Sequence, residues 1–424
     1  MKFKFKIVKA DSLPETISAD SGSAESASAV SVTTEHTSDA RTSEGSVTTD
    51  YASFDDASED HASVDSESEE SESTDADSGK WVSGRTNRGA NMLKFFLMPF
   101  VCFISFGFPG PHGYYVMRLS LFAPIAFYIL CGFMLAAKEE KHPEIYKRLM
   151  KRSAGQFALI FAILVVMNGV ALWVTGSLGQ AVSLIFTKKV FFEIIVLCIW
   201  PFQVGETIWF IQSLFYARVI LYFMHKRGLM RHYKKVLIII ALLTVLFGEF
   251  AGIIHFNFLG YTYIPANAIT RAIPYMLLGR LIYEKRDAFF SRPSWNYCLL
   301  FFVGIFAAIA EMNILSKIGR LVYSGHMLGY GVMAFSACCL FLKMRDVRRN
   351  FFVKHGKNYS WRIYLLSQPV GHLLLLVGSS MVPALYMMMR ISGGIIVYLI
   401  CLAIAYIFGS VRHQMRKEKR LYEQ

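Results

Sequence analysis

The amino-acid sequence predicts an all-α integral membrane protein of about ten transmembrane helices, with cytoplasmic N- and C-termini and a disordered acidic segment ahead of the first helix. Three observations carry that prediction. Apolar residues make up 54% of the 424 and mean hydropathy is +0.39, above the roughly 45–50% apolar content of a soluble domain. Apolar runs of spanning length recur from Asn91 onward. Lys and Arg alternate from loop to loop between the two sides that those runs define.

The chain divides at about residue 80. Residues 1–79 form an acidic, Ser/Thr-rich segment, exemplified by "SVDSESEESESTDADSG". Within 11–79 there are 19 Asp or Glu and one Arg, a net charge of −18, so the remainder carries +31. So little apolar surface does not offset the entropy of ordering, and the segment is expected to be disordered. It reads either as a solubilising extension or as an electrostatic partner for basic loops on the same membrane face. The preceding "MKFKFKIVK" is followed by no apolar run of signal-peptide length, so a cleaved signal or an anchor is not expected there.

Residues 80–424 form the membrane domain. The spans are read near 91–108, 119–137, 155–176, 205–224, 234–254, 264–283, 296–313, 325–343, 359–377 and 385–409. The loops after spans two, four, six and eight hold 6, 5, 3 and 6 Lys or Arg, and the tail from Val411 holds 5. The opposite loops hold five in all: Arg118, Lys188, Lys189, Lys317 and Arg320. This alternation orients the chain by the positive-inside rule and supports the count of ten. The short run "VFFEIIVLCIW" (190–200) reads as an interfacial or re-entrant helix, because counting it as a span would break the alternation.

Seven cysteines fall inside apolar stretches without metal-ligand spacing and read as packing residues. No metal site is expected. The absence of Walker, GxGxxG and HExxH motifs leaves nucleotide hydrolysis and zinc proteolysis without support, and no nucleic-acid partner is expected.

An ionisable residue within the hydrocarbon needs a reason, since it costs at least ~2.5 kcal/mol on insertion scales. Arg218, Arg280 and Arg362 lie near cytoplasmic helix ends, where they can snorkel. Arg271 lies deeper, about 10 Å from the outer end of span six at the helical rise. Glu206, Glu249, Glu311 and Arg390 fall toward the outer ends of their spans, with His112 and His255 in the outer loops. These groups read either as structural ion pairs with Arg271 or as a substrate cavity. His372 lies in mid-span within "SQPVGHLLLL", as a hydrogen-bonded packing residue or a cavity residue.

Four motifs in order resemble the acyltransferase 3 family of integral-membrane acyltransferases. "ILCGFML" (129–135) is similar to the family's "lSGfll", and "ETIWFIQSLF" (206–215) to its "hLWFL.aL". "IPYMLLGRLI" (273–282) is similar to "fpfFllGyli", and "YSWRIYLLSQPV" (359–370) to "yslgIYLiHp". The resemblance covers about 91–410. It implies acyl transfer, typically of acetyl, from a cytoplasmic coenzyme A thioester to a hydroxyl of an extracytoplasmic glycan or lipid. It also implies a multi-pass cell-membrane location among membrane lipids.

The departures fall on the chemistry. In the family's "RgiAillVvlfH", span one carries an arginine and, eleven residues later, a histidine base. Here Lys94 and Ser105 stand at those positions, Ser367 replaces the second histidine, and Cys131 replaces the serine of "SG". A serine hydroxyl does not titrate near neutral pH and cannot act as a base. Ser105 reads either as a helix hydroxyl bonded to a carbonyl one turn back or as a nucleophile needing a neighbouring base, His112 or His372.

The candidate catalytic residues are therefore Ser105, Lys94, His112 and His372. On the donor side, Lys147, Arg148, Lys151 and Arg152 would meet the phosphates of acyl-coenzyme A, with Arg148 and Arg152 carried over by the resemblance to the basic stretch before span three. On the acceptor side stand Trp209, Arg271 and Glu206. The alternative function is a catalytically inactive relative that transports, flips or senses a lipid-linked sugar. A channel is less well supported, with no internal repeat or pair of Gly/Pro-broken spans.

Overall fold

The structure, a computed structural model, describes residues 87–140, 142, 144–174, 208–253, 267–319, 327–344, 347–348, 350–380 and 382–422. The acidic segment 1–79, the short run 190–200, Glu206 and His255 lie outside the described residues. Every regular element among the described residues is helical. In chain order these are α1 (Arg88–Ser105), α2 (Gly110–Leu119), α3 (Phe122–Glu139), α4 (Ile145–Val174), α5 (Ile208–Lys226) and α6 (Tyr233–Phe247). There follow a π-turn (Ala268–Ala272), α7 (Ile273–Glu284), α8 (Arg286–Phe290), α9 (Ser294–Lys317), α10 (Leu328–Lys343), α11 (Phe351–Ser380) and α12 (Pro383–Tyr422).

Among the described residues, three stretches are long and apolar enough to cross a membrane: His112–Glu139, Ser294–Lys317 and Pro383–Val411. Their surroundings differ. Helix α3 is buried on nearly every side, from Phe122 to Ala136, which marks it as the centre of the bundle. Helix α9 turns Trp295 and Phe306, each 70% exposed, outward together with Leu299 and Phe302. A continuous apolar face of that kind suits lipid and is a liability in water.

Several helices run further than the apolar pattern suggested. The end of the basic stretch expected as a loop before span nine, from Phe351 to Lys357, forms the first two turns of α11, and α12, kinked at Ser392, continues through the basic tail to Tyr422. Lys and Arg are good helix formers, so a basic segment without a breaker prolongs the helix that precedes or follows it.

Glycines set the helix crossings. A Cβ on Gly132 of α3 would lie 1.9 Å from the Met276 carbonyl oxygen of α7, and one on Gly279 would lie 2.0 Å from the Ile129 oxygen. Gly356 of α11 meets the Asn91 oxygen of α1 in the same way, at 1.8 Å. Only residues without a side chain allow backbones to approach this closely.

These contacts also fix direction. Contacts at Gly132 with Met276 and at Glu139 with Arg280 make α3 and α7 parallel, and Asn91 with Gly356 and Ser105 with Gln368 make α1 and α11 parallel. Phe157 with Phe215 and Tyr146 with His225 make α4 and α5 antiparallel. Phe95 with Tyr398 and Phe103 with Gly394 do the same for α1 and α12.

Substituting Gly132→Ala or Gly279→Ala is expected to destabilise the protein by about 1–3 kcal/mol or more through overpacking. Gly155→Ala, whose Cβ meets open space, should leave stability unchanged or slightly higher. Thermal unfolding of the three variants in one detergent checks the contrast.

Candidate functional site

Ser105 is the last residue of α1. Its Oγ accepts a hydrogen bond from Gln368 Nε2 at 2.7 Å, and Gln368 Oε1 lies 3.0 Å from His372 Nε2. Gln368 and His372 are one turn apart on α11, and Gln368 is 2% exposed. The imidazole also meets the Phe106 ring edge-to-face, with ring centroids at 5.7 Å. Gly371 leaves room for that ring, since a Cβ there would fall 2.0 Å from Phe106 Cζ.

Two of the four sequence-derived catalytic candidates are thus joined through a residue that the sequence had not singled out. Gln368 neither takes nor releases a proton near neutral pH, so His372 cannot deprotonate Ser105 through it. The bond to Gln368 Oε1 places a proton on His372 Nε2, and the proton-accepting nitrogen of the neutral ring is then Nδ1. With its oxygen accepting from Gln368, the Ser105 hydroxyl has its own proton to give. Ser367, at the second histidine position, donates to the Tyr364 carbonyl at 2.9 Å and is a packing residue.

The other two candidates lie elsewhere. His112 is exposed on α2. Lys94 is buried in α1, about 16 Å along the helix from Ser105. It belongs instead to a group of cations at the end of the bundle where α3 stops and α4 starts. Lys94, Arg152 and Arg218 all act electrostatically on Lys138, and Arg218 hydrogen-bonds the Cys131 sulfur. Arg218 thus turns toward α3. Arg152 is half-buried within this group, whereas Arg148, Lys147 and Lys151 are on the exposed face of α4.

At the same end, Arg280 likewise turns inward. Its Nη1 donates to Glu139 Oε2 at 2.5 Å and to the Tyr146 hydroxyl at 3.0 Å, and its Nε donates to Glu284 Oε1 at 3.1 Å. Tyr146 donates to Glu139 Oε2 at 3.0 Å and stacks on His225, whose Nδ1 is 3.2 Å from Glu139 Oε1. Tyr233 hydrogen-bonds Glu284, and Tyr283 hydrogen-bonds Glu140. Burial, with the Glu139 carboxylate beside it, pushes the Tyr146 hydroxyl well up and keeps it a donor. This network ties α3, α4, α5, α6 and α7 together. The Arg280 and Glu284 spacing hints at one of its bonds, but the Glu139 partner is 141 positions away and leaves no local signal.

Toward the opposite end, Trp209 and Arg271 are in contact: the Arg271 guanidinium carbon is 5.5 Å from the indole centroid. Arg271 is 2% exposed. Glu311, one of its expected carboxylate partners, is committed to another task. Its two oxygens accept from the Leu328 and Gly329 amides at 3.2 and 3.1 Å, capping the start of α10. Arg390 is exposed on α12 and packs over Tyr386, outside any such cavity. Arg362 donates to the Ala405 carbonyl at 3.3 Å and ties α11 to α12.

Among the described residues no cluster of His, Cys, Asp and Glu could hold a metal. Scans against protein-family models, curated proteins and solved structures find no match to the chain.

Removing one member of a buried ion pair costs about 3–5 kcal/mol, and of a partly buried pair such as Arg280 with Glu139 less than that. Arg280→Met and Glu139→Gln should therefore each lower the unfolding midpoint sharply. The Arg280→Met, Glu139→Leu double variant should lose less than the sum of the single losses, and a double-mutant cycle of thermal unfolding reads the coupling.

Proposed function

We propose that this chain is a ten-span, cell-membrane acyltransferase with cytoplasmic termini. It would move an acyl group, acetyl in the first instance, from coenzyme A to a hydroxyl of an extracytoplasmic glycan or lipid. The observation that carries the reading is the Ser105–Gln368–His372 chain, which holds an oriented imidazole beside a hydroxyl donor at the junction of α1 and α11.

The chemistry divides between the two ends of the chain of hydrogen bonds. His372 Nδ1 takes the proton from the acceptor hydroxyl, and the resulting oxygen attacks the thioester carbonyl. Ser105 donates its proton toward the oxyanion that forms, and Gln368 positions both groups. The coenzyme A thiolate leaves, and the proton held by His372 is returned to the medium or to the thiolate. A neutral amide that orients a histidine is sufficient for this, because its role is to fix the ring and its tautomer. The cations around Lys138 support a donor whose phosphates face that end, with Lys94 and Arg152 in reach and Arg218 behind them. The parallel and antiparallel helix pairs have the directions that alternating spans require, which supports the topology.

A second reading is favoured by Gln368 itself. An amide between serine and histidine is also the pattern of a polar tie between membrane helices, and a catalytically silent relative that transports, flips or senses a lipid-linked sugar would need nothing more.

The test is turnover of labelled acetyl-coenzyme A by the purified full-length protein in detergent. His372→Ala should lower turnover by about 10²–10⁴-fold, and Ser105→Ala by about 10²–10³-fold as the loss of one oxyanion donor. No label should remain on the protein. Labelled Ser105 would overturn the donor role, and a folded wild-type protein without turnover would favour the silent relative.

A further inference from the structure

The π-turn over Ala268–Ala272 is a rare backbone form, and its polar groups are matched individually. Asn267 Oδ1 accepts from the Ile269 and Thr270 amides at 2.9 and 3.1 Å, and Thr270 Oγ1 accepts from the Asn267 amide at 3.1 Å. Thr244 of α6 donates to the Thr270 carbonyl at 3.1 Å. Residue 271 follows directly. The turn changes the facing of the helix by a fraction of a turn, and what it brings inward is a guanidinium against the face of Trp209.

Tyr275, one turn onward, lies within electrostatic reach of Arg271 and of Glu311, and Glu311 is the carboxylate engaged by the α10 amides. An arginine at this depth marks a functional position by default. Its planar fork matches the two oxygens of a phosphate or carboxylate, while an indole face takes the C–H face of a sugar ring.

The pair is connected to the element that carries Gln368. Phe210, next to Trp209, packs on Tyr364 with ring centroids at 5.5 Å, and Tyr364 precedes Gln368 by about one turn of α11.

We propose that Arg271 and Trp209 form the subsite for an anionic saccharide, in which a phosphate or carboxylate on the sugar pairs with Arg271 while the ring stacks on Trp209. The proposal names the acceptor class and rests on the acyltransferase reading for its role, but its binding chemistry stands independently. The full-length protein in phosphatidylcholine nanodiscs is titrated with glucose 1-phosphate, glucuronate and methyl glucoside. At least one of the two anionic sugars should bind at least tenfold more tightly than methyl glucoside, and the preference between phosphate and carboxylate identifies the group recognised. Arg271→Gln should remove that advantage, Arg271→Lys should retain part of it, and Trp209→Phe should weaken all three sugars together.

Equal binding of charged and neutral sugars in the wild type, or an advantage that survives Arg271→Gln, overturns the proposal. So does inorganic phosphate that binds as tightly as glucose 1-phosphate, since the ring would then contribute nothing. Nanodiscs containing phosphatidylglycerol that abolish the advantage would assign the site to a lipid headgroup and overturn the saccharide class. Charge-selective binding without acetyl-coenzyme A turnover leaves the subsite standing and removes the enzyme reading, so the two failures are distinguishable.

Discussion

The crossing of α3 and α7 is the constraint on which the remaining geometry depends. Gly132 and Gly279 bring two backbones together where no side chain fits, and because the helices run parallel, this one contact sets both ends of the pair. Some 10 Å from Gly132 toward the basic end is Glu139, and that is where Arg280 and Tyr146 meet it. In the other direction α7 leads into the π-turn and Arg271, while α3 leads to Tyr128, whose ring packs on Phe210 beside Trp209. A shift of the crossing by one residue would misplace the ion network and the Arg271 platform at once. The two regions are coupled by rigid geometry, without a conformational change.

Buried charge is handled in two different ways in the same bundle. Around Arg280, two carboxylates and a phenol surround one guanidinium, so local charge is satisfied within the protein. That arrangement holds helices and has little left to offer a ligand. Around Lys138 the groups felt most strongly are Arg152, Lys94 and Arg218, all of one sign. Like charges in a medium of reduced dielectric repel by an amount that grows as water is excluded, so such a cluster gains stability whenever an anion approaches. The first arrangement holds helices together, and the second is the one that the proposed function assigns to the donor, although both lie toward the same end of α3.

Much of this organisation could be read from the chain alone. Apolar periodicity and loop charge identified a helical membrane protein, and the burial of α3 and the lipid-type face of α9 agree with it. His372 and Trp209 could be named as candidates from the chain, but the approach of His372 to the end of α1 and the contact of Trp209 with Arg271 are seen only in the structure. Partners were not legible. Periodicity tells which face of a helix is apolar but not which neighbour covers it, so Glu139 with Arg280, Arg218 with Cys131 and Glu311 with the α10 amides had no signal in sequence. The partners of Arg218 and Arg280 were missed for that reason, since each lies on an adjacent helix. Gln368 was visible beside His372 in the sequence but was given no role, because a glutamine carries no titration, although its spacing of four from His372 made the contact available.

The reading of Ser105 changes once Gln368 is included. A serine where the acyltransferase resemblance expects a base, considered alone, would be a loss of function, since it accepts no proton. Hydrogen bonding gives it a direction. Gln368 carries one acceptor and one donor group at fixed separation; with the acceptor engaged by His372, the donor is presented to Ser105, and the serine proton is turned away from the amide. Reversing the amide would reverse all three roles together, leaving His372 to accept through Nε2 and Ser105 to donate into the amide, so that neither group could play the part proposed for it. The chemical competence of the site therefore reduces to the orientation of one buried side chain. Phe106 bears on that choice: its ring, admitted by Gly371, packs against the imidazole and helps to fix the plane in which His372 meets the amide.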